Sequence, residues 1–261
     1  MNSTINLFKD DLGQIKCWDP TSVLYLRTRF RIVGSLVGNL PPQLPQRTGF
    51  WSLPLVLMPE EVALLLEMKS ARIVDEKSTH ASPSLEELKA FENAYQKHLD
   101  AYQVAHQARA DAIKDAKLKD PNSHPLDDPK LAIEPPVLIH TASTSLPWHH
   151  SPDALSEASF TWPQTPEEIV RFKVFKEIWN KGFYISKASY FGGDYLLYPG
   201  DPSRFHSNYI CTVAMPDQEF SALDAVSMGR LGTSVKKTHA ICSWTPEKGL
   251  ITVCIDWAGS Q

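Results

Sequence analysis

The sequence YLLYPGDPSRFHSNYICTVA, residues 195–214, decides the fold of the C-terminal part of this 261-residue chain. Its apolar residues predict a strand that ends at Tyr198 and a second strand over 206–214. Between them, Pro199 to Pro202 predict a tight turn. A turn directly after a strand leaves the last side chain of the strand at the end of the sheet, where solvent can reach it. We therefore predict that the ring of Tyr198 is accessible.

The flanking residues extend this pattern into an α/β domain over 165–261. Thr165-Pro-Glu-Glu168 is a capping box, and apolar side chains recur at helical spacing from there to Gly182, a typical residue after a helix end. Further elements are predicted on both sides of the opening stretch: a strand from Phe183, a helix over 222–231, and a hairpin of strands over 237–244 and 250–257. Together they predict a helix followed by a mixed sheet.

Residues 1–80 are predicted to form a small α+β domain. Partial alternation over 23–33 favours a strand, and the apolar run 55–58 favours a short buried strand. Pro59, followed by two glutamates, predicts the start of a helix that ends near Lys69, because proline and acidic residues suit the first turn.

Residues 81–164 are predicted to be a helical arm and a linker. Ser84-Leu-Glu-Glu87 is a second capping box, and apolar residues then recur at steps of three and four. They predict one amphipathic helix of about 35 residues that ends before Asp120. This apolar stripe is compatible with three alternatives: a solvent-exposed arm, a docking surface, or a helix packed on its own domain. The Pro-, Ser- and Thr-rich text over 121–163 favours a mobile linker.

Composition indicates a globular protein: 43% of the residues are hydrophobic. No apolar run approaches the roughly 18 residues of a membrane span, and the first residues lack the pattern of a signal peptide. The four cysteines have no Cys-x-x-Cys spacing, which favours a reducing compartment and no zinc site. Cys211, Cys242 and Cys254 lie in apolar runs and are predicted to be in the core.

The distribution of charge favours a subunit over a free RNA-binding protein. The net charge is −4, with seven basic against twelve acidic residues over 81–165 but ten against ten over 166–261. Affinity for a polyanion grows with the number of cationic contacts. We therefore expect weak RNA binding by the chain alone, although an ordinary acidic protein has the same charge.

Three residues form a candidate catalytic set: Tyr198, His206 and Lys237. RNA cleavage without a metal needs a base for the ribose 2′-OH, an acid for the departing 5′-oxygen and a cation for the phosphorane. A phenol, an imidazole and an ammonium group can supply these functions. Each residue type alone is equally compatible with packing or surface roles. Asp194 and Asp201 do not form the acid cluster that two-metal catalysis needs.

The residues around this set resemble the tRNA intron endonuclease family. The similar segments are FGGDYLLYPGDPSRFHSNY (191–209), GRLGTSVKKT (229–238) and DWA (256–258), with weaker similarity over 31–38 and 53–61. The Tyr-Pro-Gly-Asp-Pro form is similar to the smaller catalytic subunits of eukaryotic members, which cut the 3′ splice site. The resemblance implies an α/β nuclease-like fold over 165–261.

The resemblance also assigns roles to the catalytic set. It implies that Tyr198 is the base, His206 the acid and Lys237 the cation. Alternation along a strand would point Lys236 and Lys237 to opposite faces, and the cation of the family directly precedes the threonine that is Thr238 here. His239, two residues after the cation, is predicted to be structural or to support the site.

Arg230 and Trp257 match a pair that, in family members, holds a base of the intron bulge across a subunit boundary. Guanidinium and aromatic faces suit splayed RNA bases. A capping arginine and a core tryptophan are the alternative for these two residues.

The resemblance implies precursor tRNA as substrate and a heterotetramer with a second catalytic subunit and two non-catalytic subunits. An edge strand near the C-terminus would pair with a non-catalytic partner. No cofactor enters the chemistry, and Mg²⁺ only helps the tRNA to fold. The nucleus is the expected location, with the cytoplasmic face of an organelle as the alternative. Two other functions remain open, a non-catalytic assembly subunit and a metal-dependent nuclease of related fold.

Overall fold

The structure, a computed structural model, describes residues 4–38, 52–119, 141–151 and 154–257. The chain divides into two compact units, one of Met1–Ser78 with Leu155–Gln261 and one of Thr79–Ala154. The first unit contains both sheets of the protein and all five predicted site residues. An N-terminal α+β part, a long helix and a C-terminal mixed sheet confirm the predicted fold class.

The N-terminal part is a five-stranded sheet with two helices. Its elements are β1 (Ile5–Lys9), β2 (Ile15–Cys17), α1 (Pro20–Phe30), β3 (Ser35–Gly38), β4 (Ser52–Val56), α2 (Pro59–Glu67) and β5 (Ala71–Asp75). The strand order is β3-β4-β2-β1-β5, and only β1 and β5 pair in parallel. The helix predicted from Pro59 is confirmed.

The strand predicted over 23–33 is wrong, because α1 occupies most of this segment. Asp19 is the N-cap of this helix, and its carboxylate accepts from the backbone N–H groups of Thr21 and Ser22. Pro20 occupies the first turn, where its missing N–H costs nothing. Leu26 is the fully buried side chain of the helix. Local capping therefore outweighs the alternation in the sequence.

A buried carboxylate fixes the chain between α1 and β3. Glu61 in α2 is fully buried, and its Oε1 accepts from the N–H groups of Val33 and Gly34 at 3.0 and 2.9 Å. Its Oε2 accepts from the N–H of Met58 at 2.8 Å. Burial raises the pKa of Glu61 to about 7, and the three amide donors act in the opposite direction. Both oxygens of this side chain are therefore needed as acceptors.

We expect Glu61→Gln to lower the free energy of unfolding by about 1–3 kcal/mol, because its amide nitrogen would face a buried N–H donor. Urea unfolding of the full chain measures this loss. Glu67→Gln, on the same helix, is the matched control. It removes a half-exposed ion pair with Lys176, and such pairs contribute about 0–1 kcal/mol. Equal stability of the two variants would contradict the anchoring role of Glu61.

The C-terminal part is a second five-stranded sheet between two helices. Its elements are α4 (Pro166–Asn180), β6 (Tyr184–Lys187), β7 (Tyr195–Tyr198), β8 (Tyr209–Val213), α5 (Ala222–Ser234), β9 (Thr238–Thr245) and β10 (Gly249–Ile255). The order is β10-β9-β8-β7-β6, with β8 and β9 parallel and the other pairs antiparallel. The capping box at Thr165 is present as predicted.

The two faces of this sheet pack against different helices. On one face, Tyr195, Cys211 and Ala240 join Phe175 of α4 in the main core, which is continuous with the N-terminal sheet. On the other face, Leu196 and Ile210 form a small core with side chains of the α5 segment. Because side chains alternate along a strand, Tyr198 shares this second face with Leu196.

Three of the four cysteines are buried. Burial of Cys211 and Cys242 confirms the core prediction for these residues, and Cys17 is buried in the N-terminal sheet. The prediction for Cys254 is wrong, because it lies exposed on β10, an edge strand of the C-terminal sheet. An apolar run is therefore not buried throughout when it forms a sheet edge.

The two sheets of the first unit are joined by a polar network. Arg171 of α4 donates to Asp194 at 2.6 Å and to Glu60 of α2 at 3.4 Å. The hydroxyl of Tyr195 donates to the same oxygen of Glu60 at 2.5 Å. Burial raises the pKa of Tyr195 well above its ordinary value. If one member were removed, a buried polar group would lose its hydrogen-bond partner. The network therefore stabilises the packing of the N-terminal sheet domain on the C-terminal one.

Part of the predicted linker belongs to the first unit. The N–H of Ala158 donates to Ile73, the N–H of Asp75 donates to Ser156, and Glu157 forms an antiparallel bridge with Val74. Residues 156–158 therefore extend the sheet beside β5. Of the linker predicted over 121–163, residues 121–140 and 152–153 lie outside the described residues.

The second unit contains the long helix α3 (Leu85–Lys119), as predicted. Its N-terminus has Glu87 accepting from the N–H of Ser84 at 2.8 Å. Phe91 packs edge to face with Trp148, with ring centroids 5.3 Å apart. In the part of the chain that the structure describes, no helix is long and apolar enough to cross a membrane.

Candidate active site

The site lies where three neighbouring strands of the C-terminal sheet end. Leu197 pairs with Tyr209, and Tyr209 pairs with Thr238. One residue further along, the same register aligns Tyr198, Asn208 and Lys237. The N–H of Asn208 donates to Leu197, and the N–H of Thr238 donates to Asn208. The phenol and the ammonium group lie on one face, because Tyr198 packs in the small core that includes Phe191, and Nζ of Lys237 lies near the Phe191 ring.

Tyr198 is half-buried at the end of β7. Its hydroxyl oxygen accepts from the hydroxyl of Ser186 on β6 at 3.4 Å. The ring also packs against the small core under α5, while Pro199 takes the chain away from the sheet. The ring of Tyr198 is therefore half-buried rather than exposed, and its hydroxyl lies at the end of β7 with one long hydrogen bond.

His206 lies on the loop between β7 and β8. The backbone carbonyl of Asp201 accepts from the N–H groups of Arg204 and Phe205, and a Cβ on Gly200 would lie 2.6 Å from the Phe205 ring. The loop is therefore compact, with the ring of Phe205 packed on Gly200. The imidazole of His206 is exposed, as a group that protonates a substrate atom must be.

Lys237 lies beside the loop that carries His206. Its half-buried side chain directs Nζ to the carbonyl oxygen of Ser207 at 3.1 Å, and Nζ lies 5.8 Å from the centroid of the Phe191 ring. Ser207 directly follows His206, so the ammonium group lies beside the backbone of the histidine loop. A Cβ on Gly232 would lie 2.5 Å from the carbonyl oxygen of Lys237. The end of α5 can therefore pack closely on the lysine only with a glycine there.

Strand alternation does not explain the choice between the two lysines. β9 begins at Thr238, so Lys236 and Lys237 both precede the strand. Lys236 has a left-handed backbone, with φ of 55°, and its side chain is exposed. The prediction that strand alternation directs the two side chains to opposite faces is therefore wrong, and both lysines line one pocket.

Arg230 and Trp257 lie together at the same end of the sheet. The guanidinium carbon of Arg230 is 5.3 Å from the centroid of the indole ring of Trp257, within the range of a cation–π contact. Arg230 is exposed and Trp257 is 41% exposed. The alternative of a core tryptophan is therefore wrong, because both groups lie at the surface.

A shallow pocket of about 410 Å³ joins the lysine to the tryptophan. Its lining residues are Asn208, Thr233, Lys236, Lys237, Thr238, Asp256 and Trp257. Both lysines thus face the pocket, which gives it a positive side suited to a phosphate.

Asp194, Asp201 and His239 are occupied by contacts with other residues. Asp194 pairs with Arg171, and Asp201 pairs with Arg27 of α1 at 2.8 Å. His239 is fully buried, contacts Thr212 through Nε2 at 2.9 Å, and has its pKa lowered by burial. This fits the structural role predicted for it. Among the described residues, no group of three or more His, Cys, Asp or Glu could hold a metal ion.

Sequence reasoning missed Arg27, Ser186 and Asn208. Arg27 is 174 residues from its partner Asp201, and no local pattern marks such a pair. Asn208 could have been found from the strand register, because it follows His206 by two residues and starts the strand beside Tyr198.

This mixed sheet with polar groups at its strand ends has an α/β nuclease-like architecture, and comparison with known proteins gives the family. Two family models match: a TSEN34-like N-terminal domain over residues 5–76 and the tRNA intron endonuclease catalytic C-terminal domain over residues 169–253. Together they span more than half of the chain. The chain belongs to the tRNA intron endonuclease family.

Two relatives match over most of the chain, and a third matches over part of it. The tRNA-splicing endonuclease subunit Sen34 of Homo sapiens is 29% identical, over 95% of this chain and 97% of its own length. A probable Sen34 subunit of Schizosaccharomyces pombe is 29% identical, over 88% and 84%. The tRNA-splicing endonuclease of Methanopyrus kandleri is 33% identical, over only 32% of this chain and 46% of its own.

Proposed function

We propose that this chain is a catalytic subunit of a tRNA-splicing endonuclease and cuts precursor tRNA at the 3′ splice site. The observation that carries the proposal is the row of Tyr198 and Lys237, with the His206 loop held beside it by the contact between Lys237 and Ser207. Similarity to Sen34 subunits over the whole chain supports the choice of substrate. The products are a 2′,3′-cyclic phosphate and a 5′-OH end.

In this reaction the ribose 2′-oxygen forms a bond to phosphorus, and the bond from phosphorus to the 5′-oxygen breaks. Tyr198 takes the proton of the 2′-OH, and His206 gives a proton to the departing 5′-oxygen. Lys237 balances the charge that develops on the non-bridging oxygens. A phenol is a weak base near neutral pH unless a cation stabilises its ionised form, and Lys237, in the same row, is the cation for that task.

Arg230 and Trp257 contribute to substrate binding in this proposal. Their exposed, stacked faces would receive an unpaired base beside a splice site, either the one cut by this subunit or the other. The pocket between Lys237 and Trp257 would hold the phosphate next to that base.

The proposal places the chain in an assembly, in the nucleus, with a second catalytic subunit and two non-catalytic subunits. The balanced charge of residues 166–261 supports this, because a partner must supply further cationic contacts to the RNA. The exposed residues Thr252, Val253 and Cys254 leave β10 as an open edge for a partner strand.

Cleavage by the reconstituted complex is expected to continue in EDTA at a rate within about twofold of the original. The protein side chains supply base, acid and cation, so the chemical step needs no metal. The substrate must be prefolded, and its fold in EDTA is checked by chemical probing. A 2′,3′-cyclic phosphate, which resists phosphatase until acid opens it, is the expected end. Loss of cutting on an intact precursor, or a 3′-OH product, would indicate a metal-dependent nuclease.

A further inference from the structure

The loop that carries His206 is tied to the N-terminal sheet domain by an ion pair. Arg27 lies in the last turn of α1, and its Nε and Nη2 donate to Oδ2 and Oδ1 of Asp201, each at 2.8 Å. Two parallel hydrogen bonds of this kind fix orientation as well as distance. Arg27 also holds the pKa of the Asp201 carboxyl well below its usual range, so the pair is charged at neutral pH.

Asp201 also shapes the loop itself. Its Oδ1 accepts from the N–H of Ser203 at 2.8 Å, and its backbone carbonyl accepts from the N–H groups of Arg204 and Phe205 at 2.9 and 3.0 Å. One residue therefore forms the turn and binds Arg27. Movement of the carboxylate would move the turn, and with it the backbone that leads to His206.

The imidazole of His206 depends on this backbone for its position. It is exposed, and within the described ranges no hydrogen bond or ion pair to another residue holds the ring. Two hydrogen bonds fix the far end of the loop. The N–H of Asn208 donates to the carbonyl of Leu197, and Nζ of Lys237 donates to the carbonyl of Ser207. The near end is fixed by Asp201. The ion pair is thus one of the two anchors that place the ring.

We propose that Arg27 is a positioning residue for the acid: its ion pair with Asp201 sets the loop over 199–206 and hence the reach of His206 to the departing oxygen. The inference rests on the role of His206 given under the proposed function. The N-terminal domain then takes part in the cleavage step without touching the reacting atoms. A displacement of about 1 Å can cost about 100-fold in rate, so we expect Arg27→Gln to slow the 3′ cut by about 10- to 100-fold.

The experiment measures single-turnover rates of both cuts with the reconstituted complex and a precursor tRNA. Arg27→Gln and Asp201→Asn should slow the 3′ cut by similar factors and leave the 5′ cut unchanged. Asp201→Asn keeps an oxygen for the N–H of Ser203, so it tests the ion pair with little effect on the turn. The double variant should be no slower than either single variant, because both changes break one interaction. Losses that multiply in the double variant would overturn the proposal.

Lys176→Gln is the matched control. The ion pair of Lys176 with Glu67 also joins the N-terminal and C-terminal sheets, at 2.5 Å, but it does not touch the loop. Its removal should leave both rates unchanged. If it slowed the 3′ cut as much as Arg27→Gln does, the effect would come from general loosening of the two sheets, and the positioning role would be wrong.

A precursor with sulfur in place of the 5′-oxygen at the 3′ splice site separates positioning from loss of structure. A thiolate leaves without a proton from an acid, so the variants Arg27→Gln and His206→Ala should both recover nearly full rate on this substrate. An equal loss for Arg27→Gln on both substrates would overturn the inference. Full activity of His206→Ala on the ordinary precursor would instead overturn the assignment of the acid, and with it the proposed function.

Discussion

His206→Ala is expected to slow cleavage at the 3′ splice site by about 10²–10⁴-fold, the usual contribution of a general acid. The 5′ cut should continue, because the proposal assigns it to another subunit. The intron should therefore accumulate joined to the 3′ exon. The imidazole is the group expected to act because it exchanges a proton near neutral pH and lies exposed on a compact loop. Gel analysis of a labelled precursor measures both cuts in one reaction.

His106→Ala is a suitable control for this change. His106 is an exposed histidine on α3, in the other compact unit of the chain. The two variants should assemble equally well, as judged by the mass of the complex. A loss of both cuts by an assembled His206→Ala complex would contradict the assignment of this residue to one splice site. Unchanged rates for both cuts would favour a non-catalytic role for the chain.

The C-terminal domain could be predicted from the sequence because its signals are local. The predicted strand Tyr195–Tyr198 has the same bounds in the structure, and the helix Pro166–Asn180 begins directly after its predicted cap. A capping box, a turn made of proline and glycine, and a hairpin each act within a few residues. A short stretch of sequence is therefore enough to predict these elements.

The N-terminal domain was harder to predict, because its elements are short or weakly patterned. The parallel pairing of β1 with β5 joins Ile5 to Ala71, and neither strand exceeds five residues. In α1, arginines and threonines interrupt the apolar pattern, and the cap at Asp19 is the better signal. The cap at Asp19 therefore decides that this segment is a helix, against the alternation that favours a strand.

The candidate catalytic residues could be predicted from the sequence, but the contacts that position them could not. The resemblance to the tRNA intron endonuclease family indicates Tyr198, His206 and Lys237. The contact of Lys237 with Ser207 depends instead on a left-handed turn at Lys236 and on the close packing that Gly232 permits. Contacts between distant segments follow from the whole fold, so a local pattern cannot show them.

Lys237→Ala is expected to raise the barrier for the 3′ cut by about 3–4 kcal/mol, which corresponds to a loss of roughly 10²–10³-fold. A fixed cation is effective because it is already in place when charge develops on the phosphate. The half-buried side chain of Lys237 is held in this way by the carbonyl of Ser207 and by the Phe191 ring. Single-turnover rates at saturating complex measure the chemical step without a contribution from weaker binding.

Lys236→Ala is the matched control, since the neighbouring lysine lines the same pocket but is exposed. Its removal should weaken RNA binding and lower the salt dependence of binding, with only a few-fold effect on the saturated rate. Sulfur at the 5′-position should not restore Lys237→Ala, because charge on the non-bridging oxygens develops with either leaving group. Recovery of Lys237→Ala on that substrate would mean that the lysine acts by holding the loop of His206 through Ser207. A larger defect from Lys236 would reassign the cation to that residue and leave Tyr198 and His206 in their roles.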